Sequence, residues 1–402
     1  MNTNILKIKY FSLVLLLPII HIIANITTNY FTSGTVNPGF FRLIYMVVII
    51  FLYFNFYKPP YKQLFIIVCI FLLYNLILVL LNNNLVSPII NYIRLAIPFF
   101  MFFIGYSVIK DANQLNDMFK TFMVALFLFI LNYLIANIFG LGGSAYLEES
   151  FHIGGAGVGS ANELAVFMLI AVSFLILNNS KKWKWFTILL IVGASMVIML
   201  SLRRGAFLTL GGALAIFIYM NGLNFKIAKY LSLTILLLTL TFPLYGDTFI
   251  ERYENRVEKR DGSLANVEIE GRYLEFERVP NDLSRENRWL IGTHNLNSAR
   301  YYSQRELHVG YMAILHGSGL IGLILFLVII LFFYKRGRYF YKKSIHFDNS
   351  MIRNNRILYS LYLSLIVALL IYLLTSRMHG FAVSVPSFLM MGSILGFLNN
   401  QK

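Results

Sequence analysis

Cysteine is almost absent. Cys69 is the only one in 402 residues, which excludes an intrachain disulfide and a thiolate metal cluster. Set in an apolar run, it reads as a small core residue. Charge is scarce too: Asp, Glu, Lys and Arg make up 13% of the chain against 58% hydrophobic residues. Soluble domains carry about 25% charged residues, so a soluble enzyme, a disordered chain and a fibrous repeat are excluded. No HExxH, no Cys/His cluster and no nucleotide motif with a Lys-Ser or Lys-Thr ending occurs, and no metal is expected.

Aromatic residues are abundant, with 36 Phe, 25 Tyr and 3 Trp. Together with a mean hydropathy of +0.68, they identify a membrane protein. Met1–Lys9 is basic and apolar residues follow, but no small-residue cleavage site does. Tyr10–Ile26 is long enough to span, so the expectation is a first helix that stays in the membrane.

Apolar runs of spanning length lie near 10–28, 40–57, 62–81, 88–109, 118–139, 162–179, 184–200, 204–221, 227–245, 309–334, 357–375 and 380–398. The expected fold is all-α and polytopic, about 12 transmembrane helices forming one domain over 1–402. One large helical extracytoplasmic loop, 246–307, is inserted between spans nine and ten.

Charge orients these spans. With the N-terminus inside, the inner segments hold 19 of the 34 basic residues and 3 of the 18 acids, which leaves 15 of each outside. The net charge of +16 therefore lies entirely inside, and both termini are cytoplasmic. The basic balance reports topology and does not argue for nucleic acid.

Outside, every basic residue except Lys259 is arginine, whereas the inner set is mostly lysine. Arginine offers a planar fork of donors suited to phosphate or carboxylate, and lysine a mobile point charge. Loop acids account for most of these arginines.

Four outer segments stand out. Ser201-Leu202-Arg203-Arg204-Gly205 places two arginines at a helix start, where the macrodipole disfavours cations. An anion bound there removes that cost; Ser201 is the expected cap, and interface snorkelling is the bland alternative. Second, Arg305-Glu306-Leu307-His308-Val309 opens span ten. A helix running unbroken from Ser298 into that span would put Tyr301, Arg305, His308 and Met312 on one face. Third, Gly154–Glu163 resembles a phosphate loop but lacks its strand and lysine; Ser160 and Glu163 fit a capping box. Fourth, Ser376-Arg377-Met378-His379 is a tight turn that can line the same cavity. In the 62-residue insertion, Asp247 is an expected cap, Pro280 an expected break, and His294 a bystander with nothing tying it to a membrane-edge helix. Glu148, Glu149 and His152 are too few for a metal site.

Taken together, the arginine-glycine hairpin Leu200–Phe207, the Gly271-Arg272 step, His308 and the later Leu315-x-x-x-Gly319-Leu320-Ile321-Gly322 resemble the O-antigen ligase/polymerase superfamily of bacterial surface-polysaccharide enzymes. Gly157–Leu164 is similar to that family's segment before span six, and the resemblance covers roughly 155–325. It departs at Val309, where the family commonly has Asn or Ser, and at His316-Gly317-Ser318, where an acid often precedes the Gly-Leu-x-Gly step.

The resemblance implies a metal-independent glycosyltransferase without cofactor in the bacterial inner membrane. It would polymerise undecaprenyl-diphosphate-linked oligosaccharide units on the outer face, working beside a flippase and a chain-length regulator. By the same resemblance, Arg203, Arg204, Arg272 and Arg305 hold the diphosphate, and His308 and Arg272 are catalytic. Arg278, Arg288, Tyr301, Arg377 and His379 line the cavity. A ligase transferring the chain to lipid A core is the alternative. A lipid-linked-oligosaccharide transporter is a further one, for which charged residues inside the spans are the expected sign.

Overall fold

In the computed structural model, residues 3–30, 38–81, 86–141, 160–201, 203–222, 271–294, 307, 309–344, 349–375 and 381–401 are described, with scattered positions between 229 and 254. The described elements are α1 (Thr3–Tyr30), α2 (Pro38–Phe56), α3 (Lys62–Leu80), α4 (Val86–Val108), α5 (Ala112–Phe139), α6 (Ser160–Leu177), α7 (Lys181–Ser201), α8 (Arg204–Asn221), α9 (Gly271–Arg285), α10 (Gly310–Ser344), α11 (Asn349–Thr375) and α12 (Phe381–Asn400).

All are helices, because a bilayer offers no water to satisfy backbone groups and a helix satisfies its own. Ten are long and apolar enough to cross a membrane, and the apolar part of α6 is slightly shorter at Ala161–Leu177. The expected ninth span is helical at the positions described, among them Ile235–Leu237 and Phe242–Pro243. Phe51, Leu73 and Leu189 turn 68%, 58% and 65% of their surface outward. Lipid, not water, is the solvent for such a surface.

Hydrogen bonds between helix ends define two faces. Arg42, early in α2, donates to Asn25, late in α1. At the other face the Arg356 Nε of α11 donates to Met220 O near the end of α8, and Asn355 donates to Gln401. We call the face where α1 begins the near face, and the one where it ends the far face.

The centre is held by close backbone approach and aromatic packing. A Cβ on Gly392 or Gly396 of α12 would fall 2.1 or 2.3 Å from the Phe102 or Tyr106 carbonyl oxygen of α4. This small-xxx-small spacing lets α4 and α12 run together where lipid gives no hydrophobic drive for association. Beside them Phe102 and Phe333 rings stand 4.5 Å apart, and Phe388 lies 5.3 Å from Phe99. These edge and tilted contacts join α4, α10 and α12.

Several local expectations are corrected. Ser201 ends α7 and its hydroxyl donates back to Ile198 O, so the residue preceding α8 is Arg203, whose side chain makes no cap bond. Asp247 is itself helical, as is Gly246 before it, so it does not cap. Pro280 lies inside α9 and does not end it. Glu275, Val279 and Leu283, spaced four apart, give that helix a buried face that outweighs the one backbone bond the proline removes. Span ten starts at Gly310, and Leu307 and Val309 are not helical. The helical register expected through 298–312 is thereby interrupted.

Candidate functional site at the far face

Two assemblies occupy the far side. The first is a polar cluster buried between α1, α2 and α6. His21 Nε2 stands 2.7 Å from Glu163 Oε1, with the two side chains 1% and 0% exposed. Asn25, one turn after His21, donates to Glu163 Oε2 at 2.8 Å and accepts from Arg42. Arg94 of α4 is close enough to repel the Arg42 guanidinium. His21 Nδ1 has no hydrogen-bond partner among the described residues.

Such a cluster costs desolvation of each charged group, and removing one partner strands the other. Ionisable groups buried within spanning helices are rare and commonly mark substrate or ion pathways. Glu163 therefore does not close a capping box with Ser160, which is the first residue of α6. Its carboxylate reaches across to α1 instead.

The second assembly is built on a broken helix. At Gly319 the backbone of α10 leaves the helical region, with φ 66° and ψ −168°. Gly319 lies nine residues past Gly310, about 13 Å along the helix at ~1.5 Å per residue. The chain segment Trp289–His294 fills the break. Thr293 N donates to His316 O at 2.7 Å and His294 N to Gly317 O at 3.0 Å, while Leu320 N donates to Trp289 O at 2.8 Å. Backbone groups freed by the break are satisfied there by protein, as an irregular segment at membrane depth requires.

Side chains complete the seat. Thr293 Oγ1 and His316 Nδ1 are 3.0 Å apart, Ser318 Oγ donates to Asn75 Oδ1, and Tyr74 donates to Ser318 O at 2.8 Å. His294 is thus tied to a membrane-embedded helix after all, at a left-handed φ of 66°. Burial, then the Arg288 charge, holds its imidazole below the ordinary histidine range.

The loop helix α9 sits on top of this seat. Buried Glu275 accepts the backbone N–H of Val309 at 2.8 Å. Val279 and Leu283 pack against Leu307, Ala313 and Leu315, with Trp289 alongside. A carboxylate at the opening of a helix suits the positive end of its dipole.

Of the residues singled out from sequence, Arg203 and Arg204 stand at the start of α8, half-buried and exposed respectively. Helix α8 runs against α6, which carries Glu163. Arg272 and Arg278 lie on α9, with Arg278 exposed. Arg288 Nε is 3.7 Å from Glu286 Oε2. His308, Arg305, Tyr301, Arg377, His379, the glycine segment 154–159 and Glu148, Glu149 and His152 lie outside the described residues. Among the described residues no group of three or more His, Cys, Asp or Glu could hold a metal ion.

His21, Asn25 and Glu275 were missed in the sequence, and His316 stood out only as a departure from the family pattern. An ionisable side chain inside an apolar run was the available signal for His21 and Glu163. Nothing in the sequence pairs them, since they are 142 positions apart and meet only through packing. Comparison with protein-family models gives no match for this chain, and comparison with curated proteins gives none either.

Proposed function

We propose that this protein is a polytopic glycosyltransferase that joins one polyprenyl-diphosphate-linked oligosaccharide to another. The observation that supports this most is the seating of α9 on the opening of α10. Glu275 accepts from Val309, the residue after His308 in the chain, and Arg272 is three residues before Glu275. Two segments singled out separately in the sequence are therefore joined by one buried hydrogen bond.

In this reading the acceptor hydroxyl attacks the anomeric carbon of the donor sugar. The bond from that carbon to the diphosphate oxygen breaks, and undecaprenyl diphosphate leaves with the electron pair. His308 takes the hydroxyl proton, and arginines neutralise the charge growing on the diphosphate. A positioned base contributes about 10²–10⁴-fold. A fixed charge at the leaving group contributes on a similar scale.

A transporter of such lipid-linked units is the second reading, favoured by the buried His21–Glu163 contact and the broken α10. Discontinuous helices and intramembrane ionisable groups are what transporters use. Purified protein in liposomes with a synthetic polyprenyl-diphosphate-linked unit separates the two. Longer glycan chains appearing without nucleotide sugar, lost in His308→Ala and reduced at least tenfold in Arg272→Lys, support the enzyme. Translocation of the unit with no chain growth overturns it.

A further inference from the structure

A cavity of about 380 Å³ opens on the near face, away from both far-face assemblies. Tyr61, Lys62 and Gln63 from the start of α3 form one wall, and Phe332, Lys335, Arg336 and Tyr339 of α10 the other. Among the described residues three cations line it and no carboxylate does.

Arg336 is the organised member. Its guanidinium carbon lies 3.7 Å from the centre of the Tyr61 ring, so one face of the group is covered, and it also hydrogen-bonds the Tyr61 side chain. The buried Nε–H meets no acceptor among the described residues. Tyr61 is itself held in place: its hydroxyl accepts from Tyr106 at 2.5 Å, and its ring lies 5.7 Å from that of Phe340. It also adopts a left-handed backbone, φ 53°, which a bulky non-glycine residue rarely does. Backbone strain of this kind persists where the surroundings impose it, and it clusters at ligand sites.

We propose that this cavity is a phosphate-binding site. A phosphate group would accept from the Arg336 guanidinium, and Lys62 and Lys335 would supply the remaining charge. A tetrahedral phosphate offers acceptor oxygens on several sides, which cations on both walls can reach together, whereas a carboxylate offers two in one plane. Leu64 and Phe332 give the wall an apolar part that suits the glycerol or acyl portion of a phospholipid. Basic pockets between spanning helices take anionic head groups in this way. The shared chemistry is the phosphate group, whether on a lipid or free.

The test uses the full-length protein in a non-ionic detergent, with the thermal unfolding midpoint as the readout. One arm titrates inorganic phosphate against sodium chloride of equal ionic strength. The other adds phosphatidylglycerol in mixed micelles, with zwitterionic phosphatidylcholine as control. A saturable rise in midpoint is expected with at least one anionic probe. Arg336→Gln and Lys62→Gln should each raise the half-saturating concentration tenfold or more. Lys342→Gln, on the same helix but outside the cavity, should titrate as wild type. A rise with phosphatidylglycerol alone assigns the site to a lipid head group, and a rise with both shows that phosphate suffices. The absence of a saturable rise with either probe overturns the proposal, and so does an equal loss in Lys342→Gln. If Arg336→Gln fails to fold, Lys62→Gln decides, because Lys62 is exposed.

Discussion

His21 of α1 and Glu163 of α6 meet at 2.7 Å inside the helical bundle, both sealed from solvent. Breaking a buried pair by removing one partner costs about 3–5 kcal/mol, because the survivor is left uncompensated. His21→Ala and Glu163→Ala should each lower stability on this scale in a denaturant titration in micelles. The double variant should fall short of the sum by about 0.5–3 kcal/mol. Additive losses would mean that the two residues act through separate neighbours.

The break in α10 should tolerate no side chain. A Cβ on Gly319 would lie 2.2 Å from Leu290 O, and one on Gly292 would lie 2.6 Å from His316 O. Both glycines also have positive φ, which adds about 1–3 kcal/mol for any other residue. Gly319→Ala and Gly292→Ala should unseat Trp289–His294, seen as faster proteolysis of that segment. Gly211→Ala, with nothing within 4 Å of the new carbon, should leave proteolysis unchanged.

Glu275→Ala removes the acceptor of the Val309 N–H and leaves a buried donor unmatched. About 1–3 kcal/mol of local stability should be lost. Hydrogen exchange at the Val309 amide should accelerate accordingly, while amides of α4 and α12 remain protected. Unchanged exchange at Val309 would show that apolar packing alone seats α9.

Acid should loosen the same segment. The folded state holds the His294 imidazole below its ordinary value, so the unseated state binds the proton more readily. Stability of the seat is therefore present near neutral pH and declines as pH falls below about 6.5. Protection of the Thr293 and His294 amides, taken relative to the intrinsic exchange rate at each pH, should fall between pH 7 and 5. His294→Asn keeps a residue that accepts positive φ and removes the titration, so its exchange should lose this pH dependence.

Sequence by itself determined the class and the elements. Long apolar runs with few charges permit only helices in lipid, and ten such helices are present at the expected places. Arg203 and Arg204, the Gly271-Arg272 step and the Leu315–Gly322 stretch were visible because residue type and position alone mark them. Tertiary structure decided the partners. Glu163 reads in sequence as a local cap because Ser160 is three residues away, yet its carboxylate goes to His21 and Asn25 on a helix five elements earlier in the chain. His294 reads as a bystander because no local pattern links it to a span, yet four backbone hydrogen bonds join its segment to α10 on either side of Gly319. A buried polar group is satisfied by whichever group packing brings within hydrogen-bond reach, and sequence spacing records only its neighbours along one helix.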